Sequence, residues 1–160
     1  MTDRRGEIAA ELEKGLAETV AFFKSLSPAE LGTQVYPDGA QWTVQQVLAH
    51  FAAIERSMHR LFANILAGGP GAPPDFDFER YNLSQTRKYE GFTLDELIER
   101  FKAVRGETVR IVREMQEEDL DREGMHAFHG HGRLDRFIRW AYEHVRLHEE
   151  DIRKVLKNSA

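Results

Sequence analysis

Apolar residues recur at intervals of three and four along most of the chain, which is the period of an amphipathic α-helix. The pattern covers four long segments, residues 3–26, 43–67, 93–115 and 134–156, and each carries charged residues on its opposite face. Helices with one apolar stripe bury that stripe against one another. The sequence therefore predicts an all-α, up-down four-helix bundle that forms a single domain over residues 1–160.

Capping and turn residues predict where the helices start and how they are connected. Three starts have the spacing of a capping box, in which two side chains bond free N–H groups of a first helical turn: Ser27/Glu30, Thr43/Gln46 and Thr93/Glu96. Residues 68–91 form a long crossover between the second and third helices, and the aromatic stretch 75–82 within it predicts a short helical piece. The polar, glycine-containing segment 117–132 is predicted to be a loop.

Composition and charge narrow the classes of function. The chain is 41% hydrophobic and 31% charged, which is ordinary for a soluble domain. Its net charge of −5, with Lys and Arg dispersed among acids, argues against a nucleic-acid partner. No apolar run approaches the roughly 20 residues of a membrane span, and no signal segment follows the first residues, so the chain is predicted to be cytoplasmic with no membrane partner.

The absence of cysteine limits the chemistry further. It excludes a disulfide framework, a cysteine nucleophile and a thiolate metal ligand. Any bound metal must therefore be held by nitrogen and oxygen atoms.

Three histidines fall on the apolar faces of two predicted helices. His144 and His148 are one turn apart in the last helix, and residues four apart lie about 5–6 Å from each other on a helix surface. One ion with metal–nitrogen bonds of about 2.0–2.1 Å can span that separation. His50 lies on the apolar face of the second helix and so faces the same core. Two interpretations fit these positions: metal ligands from two helices, or hydrogen-bonded histidines of an ordinary core.

Motifs in chain order resemble those of the DinB/YfiT-like four-helix-bundle proteins. That family has Trp followed by Thr or Ser before a helix with one histidine, and a last helix with His-x-x-x-His followed by acidic residues. Here the motifs are Trp42-Thr43, His50, and His144 with His148-Glu149-Glu150-Asp151.

The resemblance implies that His50, His144 and His148 bind a divalent metal ion, most often zinc or nickel. It also implies a metal-dependent enzyme in which a thiol or water attacks a small electrophilic substrate. Members of this type are thiol transferases, isomerases or hydrolases, some with a low-molecular-weight thiol as cosubstrate, and they commonly form homodimers.

The crossover holds candidates for a substrate pocket. Tyr81, Asn82 and Arg87 would supply its wall and polar contacts if the crossover lies beside the metal. In the alternative interpretation, the aromatic residues of the crossover only cover one end of the bundle.

Further histidines and one acid are candidates for supporting roles. His131 would approach the metal or substrate from the connection after the third helix, although His126, His129 and His131 together could instead hold a second ion. Asp151 lies seven residues after His144 and is predicted either to bond a ligand histidine or to form a solvated salt bridge. His59 is out of phase with His50 and is predicted to be exposed to solvent.

Other familiar catalytic patterns are missing from the sequence. The only Glu-x-x-His is Glu123 to His126 in a connection, which argues against a di-iron carboxylate bundle. There is no His-Glu-x-x-His, no glycine-rich phosphate loop and no serine in a nucleophile elbow. Three functions remain: the metal-dependent enzyme, a small-molecule-binding or sequestering protein without turnover, and an apo bundle that serves as an association module.

Overall fold

Four long helices account for most of the architecture, as predicted. The computed structural model describes residues 3–159. Its elements are α1 (Arg4–Lys24), α2 (Pro28–Leu31), α3 (Val44–Leu66), α4 (Phe78–Arg87), α5 (Leu94–Glu114), a 3-10 helix (Glu117–Asp121), β1 (Glu123–His126), β2 (Gly130–Arg133) and α6 (Leu134–Asn158). The capping boxes predicted before α2, α3 and α5 are all present. The four-helix bundle is therefore confirmed.

The long crossover sets the directions of the helices. Arg5 at the start of α1 donates to the carbonyl oxygen of Met115 just beyond α5, 2.6 Å away, so α1 and α5 are antiparallel. Gln45 near the start of α3 donates to the carbonyl of Phe92 just before α5, so α3 and α5 are parallel. Bonds between α1 and α6 show that these two are also parallel: Arg4–Asp135, Glu11–Arg146 and Thr19–Glu149. The helices run up, down, down and up, and a parallel pair requires a connection that returns the chain along the bundle.

The core consists of two apolar clusters of side chains that follow one another along the bundle, with a layer of buried charge between them. Arg105 is 0% exposed and makes a paired hydrogen bond with the carboxylate of Glu55, both N···O distances being 2.8 Å. Its guanidinium also donates to the carbonyl oxygens of Leu12 and Ala141, at 3.0 and 3.2 Å. One side chain of α5 thus bonds α1, α3 and α6. The buried charge is satisfied because every helix of the bundle contributes an acceptor or the donor.

His59 belongs to this layer, and the prediction that it is exposed is wrong. The Thr108 hydroxyl donates to Glu55 at 2.7 Å, so it accepts from Nε2 of His59, also at 2.7 Å. The side chain does face away from His50, but α5 packs against that side of α3. Burial lowers the pKa of His59, although Glu55 and Glu107 oppose the shift.

The segment after α5 is not the loop that was predicted. A 3-10 helix leads into an antiparallel hairpin in which Met125 pairs with His131. The backbone of Met125 also bonds Pro70 and Ala72 of the crossover, at 2.8 and 2.7 Å. Each strand has only four residues, which is too short for an alternating apolar pattern to be recognised. The crossover therefore pairs with one edge of the hairpin.

The helical piece predicted in the crossover is present as α4, displaced toward the C-terminus. Asp77 caps it by accepting from the backbone N–H of Arg80 at 3.1 Å. The helix lies along α3, and Phe78 at its start makes an edge contact with Phe128 at the tip of the hairpin. The crossover therefore bridges the start of α3 and the hairpin.

Self-association through the bundle helices would need exposed apolar side chains on the surface. Among residues 3–159, the large hydrophobic side chains that are exposed are Phe76, Leu83, Phe128 and Leu147, none of them in α1. Self-association stays a prediction. No helix within these residues is both long and apolar enough to cross a bilayer.

Candidate metal centre

The three histidines predicted as ligands meet between α3 and α6. His50 projects from the second turn of α3, whose start is held by the Thr43 capping box, and His144 and His148 lie one turn apart on α6. Nε2 of His144 is 3.2 Å from Nε2 of His50 and 3.0 Å from Nε2 of His148. Within the described part of the chain, this is the only group of three or more His, Asp or Glu side chains close enough to share an ion.

Burial keeps all three imidazoles neutral near pH 7. Loss of solvent lowers the pKa of His144 to about 3, with further lowering by His148 and His126. The pKa of His50 is lowered well below its ordinary value, again mainly by burial. Burial also lowers the pKa of His148, although Asp151 opposes the shift. A neutral imidazole can offer a lone pair to a metal, whereas an imidazolium cannot.

The separations fit a shared cation. Two nitrogens bound to one ion at about 2.0–2.1 Å lie roughly 3 Å apart, as these do. Where the lone pairs of two neighbouring Nε2 atoms face each other, a cation between them removes their mutual repulsion. The donor set of neutral nitrogens suits zinc, nickel, copper or iron better than magnesium or calcium.

Tyr36 and Asp151 determine the orientation of His148. The Tyr36 hydroxyl donates to Oδ2 of Asp151 at 2.7 Å and lies 2.6 Å from Nδ1 of His148. Because that hydroxyl proton is given to Asp151, Nδ1 of His148 must carry a proton and donate to the Tyr36 oxygen. Nε2 is then left with its lone pair pointing toward the other histidines. Burial and Asp151 both raise the pKa of Tyr36, so the hydroxyl stays protonated.

Asp151 therefore reaches the candidate ligand through Tyr36 instead of directly. Tyr36 is held in place by its neighbours, since Val35 donates to the carbonyl of Trp42 at 2.8 Å and Gln34 forms a β-bridge with Thr43. Tyr36 is not among the site residues predicted from the sequence. No signal in the sequence would have found it, because it is more than a hundred residues from His148.

Aromatic side chains enclose the three histidines. The Trp42 ring lies against His50 with ring centroids 4.4 Å apart, and Phe51 contacts His148 at 5.8 Å. Trp140, one turn before His144, has its ring 5.4 Å from that imidazole. The indole of Trp140 is in turn stacked on Phe128 of the hairpin, with centroids 5.5 Å apart. The aromatic shell limits water around the histidines and explains their lowered pKa values.

The residues predicted for a substrate pocket are dispersed. Arg87 lines a cleft of about 630 Å³ between α2, the start of α3 and the end of α4. Tyr81 lines a separate cleft of about 250 Å³ between α3, α4 and α5. Asn82 is half-buried on α4, and His131 is exposed on β2. None of the four belongs to the histidine group, and their role in binding a substrate stays a prediction.

The other hairpin histidines have structural partners. Nδ1 of His126 accepts from the backbone N–H groups of Phe128 and His129, at 3.0 and 3.1 Å, which stabilises the turn between the strands. The His129 ring makes an edge contact with Trp140 at 4.5 Å. His131 points to solvent, so these three do not converge as the second-ion interpretation requires.

Comparison with proteins of known structure agrees with this architecture. No curated protein matches the chain. YfiT from Bacillus subtilis, described as "a probable metal-dependent hydrolase with an unusual four-helix bundle topology", is similar with a TM-score of 0.80 and 16% identity, covering 99% of this chain and 90% of that one. DfsB, described as a sibling lethal factor precursor, is similar with a TM-score of 0.72 and 16% identity, covering 99% and 98%.

A third similar structure is an uncharacterised protein from Clostridium difficile 630, with a TM-score of 0.71 and 16% identity over 98% of both chains. At such identities these similarities concern the fold alone. The sequence match is more specific, because residues 11–152 match the DinB superfamily. Since that match covers most of the chain, the protein belongs to the DinB superfamily.

Proposed function

We propose that this DinB-superfamily protein binds one divalent metal ion, zinc or nickel, through Nε2 of His50, His144 and His148. The observation that carries the proposal is the convergence of the three side chains: Nε2 of His144 is 3.2 Å from that of His50 and 3.0 Å from that of His148, and ligand atoms of all three lie within 4.8 Å of one another. Three protein ligands leave positions open for a water or a substrate, as in catalytic metal sites.

We further propose that the protein is an enzyme in which a thiol or water attacks a small electrophilic substrate, as a transferase, isomerase or hydrolase. A divalent ion supplies Lewis acidity, which lowers the pKa of a water or thiol and yields a nucleophile near neutral pH. The chain's own contribution is to orient His148 through Tyr36 and to exclude bulk water with Trp42 and Trp140. A low-molecular-weight thiol cosubstrate would supply the sulfur that this cysteine-free chain lacks.

A second candidate function is binding or sequestration of a small molecule without turnover. The enclosure of the histidines favours it, because His50 is only 4% exposed and neither cleft is lined by any of the three. The two functions differ in one measurable property, which is turnover by the metal-loaded protein with thiol or water.

Measurement of the metal content tests whether the three histidines bind an ion. Protein purified without an affinity tag is analysed for metals as wild type, His50→Ala, His148→Ala and, as the matched control, His131→Ala. We expect near-stoichiometric zinc or nickel in wild type and in His131→Ala, and little in the other two, because the remaining two nitrogens cannot hold the ion tightly. A wild-type protein that stays empty after incubation with both metals would exclude the site. Loss of thiol- or water-dependent turnover in His144→Ala would then separate the enzyme from the binding protein.

A further inference from the structure

The cleft between α3, α4 and α5 has a composition that the proposed metal centre does not explain. Its volume is about 250 Å³, and four cationic side chains line it: Arg56 and Arg60 from α3, Lys88 at the end of α4, and Arg100 from α5. No aspartate or glutamate of residues 3–159 lines it. This concentration of positive charge contrasts with the net charge of −5 of the whole chain.

The four cations lack the carboxylate partners that other basic residues of this protein have. Arg105, Arg110 and Arg146, for example, each pair with a glutamate. Within the described residues none of the four cleft cations forms a salt bridge; Lys88 donates to Gln85 at 3.1 Å, and Arg100 lies 5.7 Å from the ring centre of Phe92. Like charges around one concavity repel each other and raise the local positive potential, so an anion is the ligand that they favour.

The chemistry and size of the cleft indicate the class of anion. Guanidinium groups bind phosphate and carboxylate oxygens through paired hydrogen bonds, and a lysine adds a point charge. Tyr81 and Tyr89 also line the cleft. A volume of about 250 Å³ is smaller than that of a typical drug-sized site, so it suits one compact, multiply charged group. Four cations around one small cleft do not form the extended basic track that the backbone of a nucleic-acid strand needs.

We propose that this cleft is a binding site for a small polyanion, with two or more phosphate or carboxylate groups close together. It is a separate site from the histidine group. The two cations that α3 contributes to the cleft, Arg56 and Arg60, lie six and ten residues beyond His50, which at a rise of 1.5 Å per residue is roughly 9–15 Å along the helix.

The test uses inorganic pyrophosphate and citrate as probes, titrated into the full-length protein by calorimetry at low ionic strength. We expect both to bind wild type with a Kd that rises steeply with salt, and the tighter of the two identifies phosphate or carboxylate as the preferred chemistry. Arg56→Gln and Arg60→Gln are each expected to weaken binding about tenfold, because each removes charge-assisted hydrogen bonds. Circular dichroism verifies that these exposed substitutions leave the fold intact.

Two variants serve as controls. Arg80→Gln removes the same charge from an exposed position of α4 that does not line the cleft, and we expect less than about twofold change in Kd. His144→Ala is expected to bind both probes as wild type does, so failure of the metal proposal would leave this one standing. Absence of binding to wild type, equal binding to the Arg56→Gln/Arg60→Gln double variant, or loss of binding in His144→Ala would each overturn the proposal. The proposal would also be overturned if a single-stranded oligonucleotide bound more tightly than pyrophosphate.

Discussion

At the scale of single residues, the proposed metal centre depends on which nitrogen of each imidazole carries a proton. The Tyr36 hydroxyl, shared between Asp151 and His148, decides this for His148. Nδ1 of His50 is buried and has no hydrogen-bond partner, so nothing comparable orients that ring by hydrogen bonding. Contact with the Trp42 ring restrains it instead. One candidate ligand is thus oriented by hydrogen bonds and another by packing.

Removal of the Tyr36 hydroxyl tests this difference. We expect Tyr36→Phe to weaken zinc or nickel affinity about 10–100-fold, as losses of groups that orient metal ligands do, because His148 would lose the acceptor for its Nδ1 proton. Competition with a chromophoric chelator measures the affinity. Tyr142→Phe removes a hydroxyl from α6 whose ring lies against Arg146, 5.0 Å from its guanidinium carbon, and it should bind metal as wild type does. Equal affinities in the two variants would show that Tyr36 has no orienting role.

At the scale of elements, docking of the hairpin onto the crossover depends on one glycine. Gly71 has a φ of +91°, and a Cβ there would lie 2.3 Å from the carbonyl oxygen of Met125. The close approach allows Met125 to bond Pro70 and Ala72 on either side of Gly71. Both the backbone conformation and the contact therefore require glycine.

Gly71→Ala is expected to destabilise the protein by more than Gly39→Ala. Gly39 has a φ of +64° but nothing within 4 Å of its Cβ position, so alanine there costs only the backbone strain of about 1–2 kcal/mol. At Gly71 the added Cβ would also displace the hairpin, which increases the loss of stability. Urea unfolding gives both free energies, and hydrogen exchange at Met125 should accelerate only in Gly71→Ala. Similar values for both variants would mean that the hairpin docks loosely.

At the scale of the whole molecule, the buried Arg105–Glu55 pair joins the four helices in one register. Because this ion pair lies between the two apolar halves of the core, no helix can slide along its neighbours without leaving a buried charge unpaired. Such layers are costly to form, because both charges lose their water, and they are more costly to break. The layer lies beside the histidine group on both helices, since Glu55 follows His50 by five residues and Ala141 precedes His144 by three.

Substitution of one member of the Arg105–Glu55 pair should lower the free energy of unfolding more than substitution of both members. We expect Arg105→Met or Glu55→Met alone to lower the free energy of unfolding by about 3–5 kcal/mol, because an uncompensated charge stays buried. The double variant replaces the pair by apolar groups and should recover much of that loss. A double-mutant cycle from urea titrations measures the difference. Additive losses would show that the two charges do not depend on each other in the folded state.

The periodicity of apolar residues determined the number, the limits and the buried faces of the bundle helices, because burial of a helical stripe is a local property of the chain. The same periodicity placed His50, His144 and His148 on inward faces. It could not place Tyr36 beside His148 or the crossover beside the hairpin, since these contacts join residues far apart in the chain and have no period. It also failed for His59, whose exposure depends on how α5 packs against α3.

The charge pattern shows the same division. The dispersed lysines and arginines of the sequence did not indicate the cleft of Arg56, Arg60, Lys88 and Arg100. Those four come from three elements, two of which run parallel only because of the crossover. Secondary structure follows from neighbours in sequence, whereas a site is assembled from side chains whose proximity is decided by the order and direction in which the helices pack.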